Sequence, residues 1–259
     1  MRLLARQHAF AGYARLEASR EDGSGSVAVC TRHHAIDWNF VGAPRSRPNK
    51  WRVRPTPPAE GAFPDVAGRC DDWQELSYAS DEHSAPYYLE RWTRRTGGEG
   101  RPSLALRACS APGGAVGDSA AQQRDAMVVV VGDHFAYVLA RPIEVTALTS
   151  LGRTLTSVVD EAIECGDRHT AEACVLLEAG YGRVGAGWRV DGSLQPWRVG
   201  RPLADIFASA GAHDESATED GDVCSLTSTL DAPVGLVGLR RVQIGAQIFD
   251  VLGGSGALD

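Results

Sequence analysis

Gly180, Gly182 and Gly185, in the run LLEAGYGRVGAGW from Leu176 to Trp188, have the G-x-G-x-x-G spacing of a dinucleotide-binding turn. That chemistry needs the glycines between a strand and a helix whose first amides meet a pyrophosphate, and an acid about 20 residues on for the ribose. ACVLLEA, within Ala173 to Leu177 and beyond, offers the strand, and Asp205 stands where the acid would be sought. The helix is not supplied. Gly187, Gly192, Pro196, Gly200 and Pro202 follow, and no helix of useful length tolerates that series. The glycines therefore predict a wide turn or bulge between two strands, and no cofactor is expected.

The other constellations are weaker. His33, His34 and Asp37 form the tightest histidine group, but neighbouring residues on a strand point to opposite faces and cannot chelate one ion, so no metal is expected. Asp81, Glu82 and His83 put acids beside a base, as proton transfer needs, yet SDEHSAP reads as a solvated turn. Gly253 to Ala257 (GGSGA) lacks the last glycine of a nucleophile elbow and reads as a frayed tail. Cys70 lies against Asp71 and Asp72, whose charges disfavour its thiolate. No catalytic residue is assigned. Ser216 and Ser225 lie in or beside the acidic stretch His213 to Asp222 (HDESATEDGD) and suit an acid-directed kinase, which makes them candidate phosphoacceptors.

These residues need a frame. The 259 residues suffice for one large domain or two small ones, with 43% hydrophobic and 23% charged residues. The longest apolar runs, such as Met127 to Val131, fall far short of the roughly 18 residues of a membrane span. Net charge is −7, and the acid excess sits in residues 101–259, where 20 Asp and Glu face 12 basic residues. That balance argues against a nucleic-acid binder. Lys50 is the one lysine, a mark of coding bias rather than chemistry. Cysteines at 30, 70, 109, 165, 174 and 224 form no C-x-x-C pair, which fits a reducing compartment. The N-terminal MRLLARQHAFAGYARL has basic residues and no acid before Glu17, so mitochondrial targeting is a minor expectation beside a first strand.

With 29 Gly and 13 Pro, few windows could hold a long helix. Short apolar or alternating segments predict strands at 27–30, 38–41, 51–53, 87–92, 104–109, 127–131, 136–141, 173–177, 188–190, 224–230 and 247–252. Leu148 to Glu164 is the one helical pattern. TGGEGRP (Thr96 to Pro102) reads as a linker. Pro44 to Pro58, with five prolines and five basic residues, reads as a loop or strap that could dock a partner. Trp38, Phe40, Trp51, Tyr87, Tyr88, Trp92, Phe135 and Tyr137 are candidates for barrel core or for a cavity lining.

DWNFVGAP (Asp37 to Pro44), YYLERWTRR (Tyr87 to Arg95), LALRACS, MVVVVGDHFAYVLARP (Met127 to Pro142) and VQIGAQIFDVL (Val242 to Leu252) together resemble the fungal family of casein-kinase-I-interacting proteins. The acidic stretch and the residues around 111–124 have no counterpart in that pattern. The resemblance implies an all-β fold of two lipocalin-like barrels in tandem, at 1–98 and 102–259, with one short helix in the second half and an acidic insertion near 208–223. It also implies a non-enzymatic protein, of the cytoplasm alone or of cytoplasm and nucleus, that associates with a casein kinase I. The alternative expectation is a carrier holding a small apolar ligand in a barrel cavity.

Overall fold

The structure is a computed structural model that describes residues 1–19, 27–41, 49–55, 72–80, 83–93, 103–108, 124–141, 153–208, 223–225 and 240–255. The chain opens with helix α1 (Arg2–Ala5), then strands β1 (Phe10–Ser19), β2 (Val27–Asp37), β3 (Phe40–Val41), β4 (Asn49–Pro55), β5 (Asp72–Ser80) and β6 (His83–Thr93). There follow β7 (Ser103–Ala108), β8 (Ala126–Val131), β9 (His134–Leu139), β10 (Arg153–Thr154), α2 (Leu155–Glu164) and α3 (Arg168–Cys174). The chain continues through β11 (Glu178–Arg183), β12 (Arg189–Ser193), α4 (Leu203–Ala208), β13 (Val223–Ser225), β14 (Arg241–Ile244) and β15 (Gln247–Ser255). The fold is mostly β.

Two compact units emerge. The larger takes Met1–Ala11, Ile36–Pro44 and Gly97–Asp259, and the smaller takes Gly12–Ala35 and Arg45–Thr96. One change of unit falls in the expected linker. The two N-terminal pieces of the larger unit have a physical cause: Ala5, Ile36, Trp38 and Val41 are buried in its core, and β3 pairs with β10.

In the larger unit eight strands run in the order β12-β11-β9-β8-β7-β15-β14-β13, antiparallel except for the parallel pair β13–β14. Alternation decides its two faces. Leu104, Leu106, Val128, Val130, Phe135 and Tyr137 point to one side, and α4 lays Leu203, Ile206 and Phe207 against them. Phe207 meets Tyr137 and Phe249 edge-on at centroid distances of 6.1 and 5.2 Å, and Phe135 stacks on Trp188 at 5.7 Å. Met127, Val138 and Ala179 point to the other side, beneath α2 and α3. Thr154 caps α2 by accepting from Ser157 N at 3.3 Å, and Asp167 caps α3 by accepting from Thr170 N at 3.0 Å.

Several expectations need correction. The helical pattern at Leu148 to Glu164 is realised as α2 from Leu155 on, Arg153–Thr154 being strand β10 and residues 148–152 lying outside the described residues, and α1, α3 and α4 were not expected. The strand expected at 173–177 is the end of α3 and a turn, because the Asp167 cap starts a helix that runs through Cys174. Asn49 to Pro55, inside the proline-rich segment, is strand β4, paired on both sides, which agrees with the strand expected at 51–53 and not with a loop there. Gly253, Gly254 and Ser255 are not a frayed tail: they belong to β15 and pair with β7. Among the described residues neither of the two large sheets is closed into a barrel by a ladder of hydrogen bonds.

The smaller unit is an antiparallel sheet in the order β1-β2-β4-β5-β6. On it, W-x-E in β5 meets E-x-W in β6. The register places Trp73 opposite Trp92 and Glu75 opposite Glu90.

Candidate functional site

The glycine motif lies in a hairpin. Gly180 and Gly182 are in β11, a register shift separates Tyr181 from Gly182, and β12 follows the turn. Gly185 N donates to Asp133 Oδ1. A Cβ at Gly182 would stand 2.6 Å from the Phe135 ring, and one at Gly180 would stand 2.9 Å from the Tyr137 hydroxyl. The facing backbone is closer still: the carbonyls of Gly192 and Arg189 stand against Gly180 and Gly182, so these two glycines leave room for the paired strand first and for the two core aromatics second. No helix follows them directly, and Asp205 sits exposed on α4, 3.9 Å from Arg201.

The remaining sequence candidates scatter. His33 is exposed and His34 half-buried, as successive strand residues must be, and Asp37 accepts from Asn39 N at 2.9 Å. Among the described residues no group of three or more His, Cys, Asp or Glu is placed to hold a metal ion. Asp81, Glu82, Cys70, Asp71, Ser216 and the acidic stretch lie outside the described residues, as do the side chains of His83, Tyr87 and Tyr88. Ser225 lies in β13, paired with Gln243. Trp38, Phe135 and Tyr137 are core, Phe40 is half-buried, and Trp92 is 40% exposed.

Three polar clusters that the sequence did not reveal organise the molecule. In the first, buried Arg141 donates to the carbonyls of Cys174, Trp38, Asp37 (3.0 Å) and Phe40 (3.3 Å), with its guanidinium 5.4 Å from the Trp38 ring centroid. It ties the 37–40 turn to the last carbonyl of α3. Burial pushes this guanidinium down to about 10, while Cys174 and Asp37 act in the opposite direction.

The second lies at one rim of the inner face. Buried Glu178 accepts from Arg198 Nη2 at 2.8 Å, and Arg124 Nη1 is 4.0 Å away. Arg198 Nε stands 2.7 Å from Glu178 Oε2, close enough for an ion pair, but the two atoms are not aligned as a hydrogen bond. Arg124 also donates to the carbonyls of Ala140 and Leu176 at 2.6 and 2.7 Å. Burial lowers Arg124 to about 10 against the pull of Glu178. Beside them Tyr137 lies 3.5 Å from Ser193 Oγ, and burial pushes its phenol up to about 12.

The third cluster is on one face of the smaller sheet. Arg32 on β2 contacts Glu75 on β5 and, at 3.3 and 3.4 Å, Glu90 on β6. Its guanidinium carbon lies 4.5 Å from the Trp51 centroid and 5.5 Å from that of Trp92. The reach from β2 to β6 crosses three strand spacings, about 14 Å on a flat sheet, so the contact marks a sheet curved toward this face. Trp73 Nε1 donates to Glu75 Oε1, and Trp92 Nε1 to Glu90 Oε2, both at 3.1 Å. Among the described residues, the hydrogen bonds of these carboxylates are all accepted ones, from Arg32, Trp73 and Trp92. Cys30, buried on the same face, has its thiol pushed up first by burial and then by Glu75, against Arg32. It is a poor nucleophile. The mirrored W-x-E and E-x-W strings were the sequence signal for this cluster, since an antiparallel hairpin turns such a pattern into facing pairs.

No protein-family model matches this chain, and neither the curated proteins nor the solved structures give a match.

Proposed function

We propose that the protein is a non-enzymatic interaction module of the cytoplasm, and of the nucleus as well, whose partner is the casein kinase I that its sequence resemblance implies. The same reading takes the two sheets as lipocalin-like barrels adapted for surface contact. The observation that carries it is the packing of the larger sheet's inner face: Phe135, Tyr137, Trp188, Phe207 and Phe249 fill the space that a carrier would keep open. Recognition then falls to surface groups. Trp197 is 63% exposed and Val199 51% exposed, on a turn that the fold holds tightly. Gln195 Nε2 donates to the carbonyls of Val175 and Leu177, Arg198 is anchored on Glu178, and Gly200 N donates to Val190 O at 2.8 Å. An exposed tryptophan on a rigid support loses little entropy when it is buried by a partner.

Affinity purification of the tagged protein from its native cell tests this. Recovery of a casein kinase I, weakened roughly 30-fold or more by Trp197→Ala, is the expected result for an anchor contributing about 2 kcal/mol. The variant's own stability should change by no more than about 0.5 kcal/mol. Recovery of neither kinase nor any other stable partner would refute the proposal.

A further inference from the structure

The aromatic face of the smaller sheet has a chemistry of its own. Arg32 lies against two indole rings and two carboxylates, which is how proteins hold organic cations. Among the described residues the charges of that cluster do not balance: Glu75 and Glu90 carry two negative charges, and Arg32 supplies one positive charge. The surplus is at Glu90. Its Oε2 accepts from Trp92 Nε1 and faces both Arg32 Nη atoms, whereas its Oε1 accepts from no group among the described residues. Glu90 keeps a quarter of its side chain exposed, Trp92 is 40% exposed, and Trp73 lies parallel to Trp92 at 5° with centroids 6.1 Å apart. An open carboxylate oxygen, an open ring and an unbalanced negative charge therefore coincide at one place.

We infer that this face is a binding site for an organic cation, a guanidinium or an alkylammonium group, seated on Glu90 Oε1 against the Trp73–Trp92 pair. A neutral sugar could stack on the rings but would leave the charge unbalanced, and an anionic ligand would be repelled by it. Arg32 is the intramolecular version of the ligand, and the cation from outside takes the place beside it. The site is independent of Trp197, so either assignment can fail without the other.

Titration of the full-length protein with agmatine, which carries both cation types, followed by tryptophan fluorescence and calorimetry, tests the inference. Expected are saturable binding at one site per chain, a loss of at least tenfold in affinity for Glu90→Gln, and weakening as salt is raised. The Gln variant keeps an acceptor for Trp92 Nε1, so the ring stays supported while the charge is removed. A capped Gly-Arg-Gly peptide binding as well as agmatine assigns the site to a partner's side chain, and agmatine binding alone assigns it to a free amine. No saturable binding up to about 10 mM, which would reveal even a Kd of about 1 mM, overturns the inference. So does affinity that is indifferent to both salt and Glu90→Gln, or glucose binding as tightly as agmatine.

Discussion

Replacing Arg141 with Met keeps the length of the side chain and removes its donors. Arg141 is 6% exposed, and its four acceptors are backbone carbonyls of residues 37, 38, 40 and 174, so no solvated group can stand in for it. Burying the guanidinium lowers it from 12.5 to about 10, which corresponds to a cost on the order of 3 kcal/mol. Against that stand four hydrogen bonds from a charged donor, each contributing about 1.5–3 kcal/mol. The bonds outweigh the desolvation by at least about 3 kcal/mol. Removing the side chain leaves buried carbonyls unpaired, and entering water can satisfy only those near the surface. The net loss should therefore be about 3–5 kcal/mol, the range for an uncompensated buried polar group. With roughly 2–4 °C of Tm per kcal/mol in a unit of this size, Arg141→Met should melt about 6–20 °C below the wild type. Urea unfolding followed by tryptophan fluorescence measures the difference directly. Stability within about 1 kcal/mol of wild type would refute the claim that this guanidinium joins the 37–40 turn to α3. Arg141→Lys should recover only part of the loss, because a compact ammonium cannot span four carbonyls in different directions.

Two further perturbations address the inner face. Tyr137, pushed up to about 12 chiefly by burial, is protonated in the fold at pH values where an unfolded tyrosine is not, so its contribution is complete below pH 10 and fades as pH rises toward 12. Between pH 9 and 11 the wild type should lose about 1 kcal/mol more than Tyr137→Phe in urea titrations, and equal losses would contradict the burial of that phenol. Gly182→Ala should cost about 2–4 kcal/mol, because its Cβ would overlap the Arg189 carbonyl of the paired strand and would also meet the Phe135 ring at 2.6 Å. A thermal shift below about 2 °C for that variant would mean that neither the Arg189 carbonyl nor the Phe135 ring stands against this position.

The fate of the glycine motif shows what a linear reading can reach. The expectation of a turn between two strands followed from local chemistry, since Gly and Pro after Gly185 forbid the helix, and β11 and β12 form that hairpin. What the string does not contain is the remote half of the reason for the glycines: the facing β12 backbone is local, but Phe135 and Tyr137 come from a strand some 45 residues earlier. The expected strand at 173–177 failed for a local reason: one aspartate cap at Asp167 outweighed an apolar run that suits either a strand or a buried turn. Arg141 lies at the opposite extreme. It is about a hundred residues from Asp37, Trp38 and Phe40, and a lone arginine after a strand gives no sign that its acceptors are carbonyls. The tryptophan face falls between the two. The mirrored strings at 73–75 and 90–92 were legible once β5 and β6 were taken as a hairpin, yet Arg32 reaches them from β2 only through the curvature of the sheet. Pairing between neighbouring strands is written in alternation, and contact across a curved face is not, because curvature depends on every strand at once. That is why the charge imbalance at Glu90, the feature with the most chemical consequence in the smaller unit, belongs to the folded sheet and to no segment of the chain.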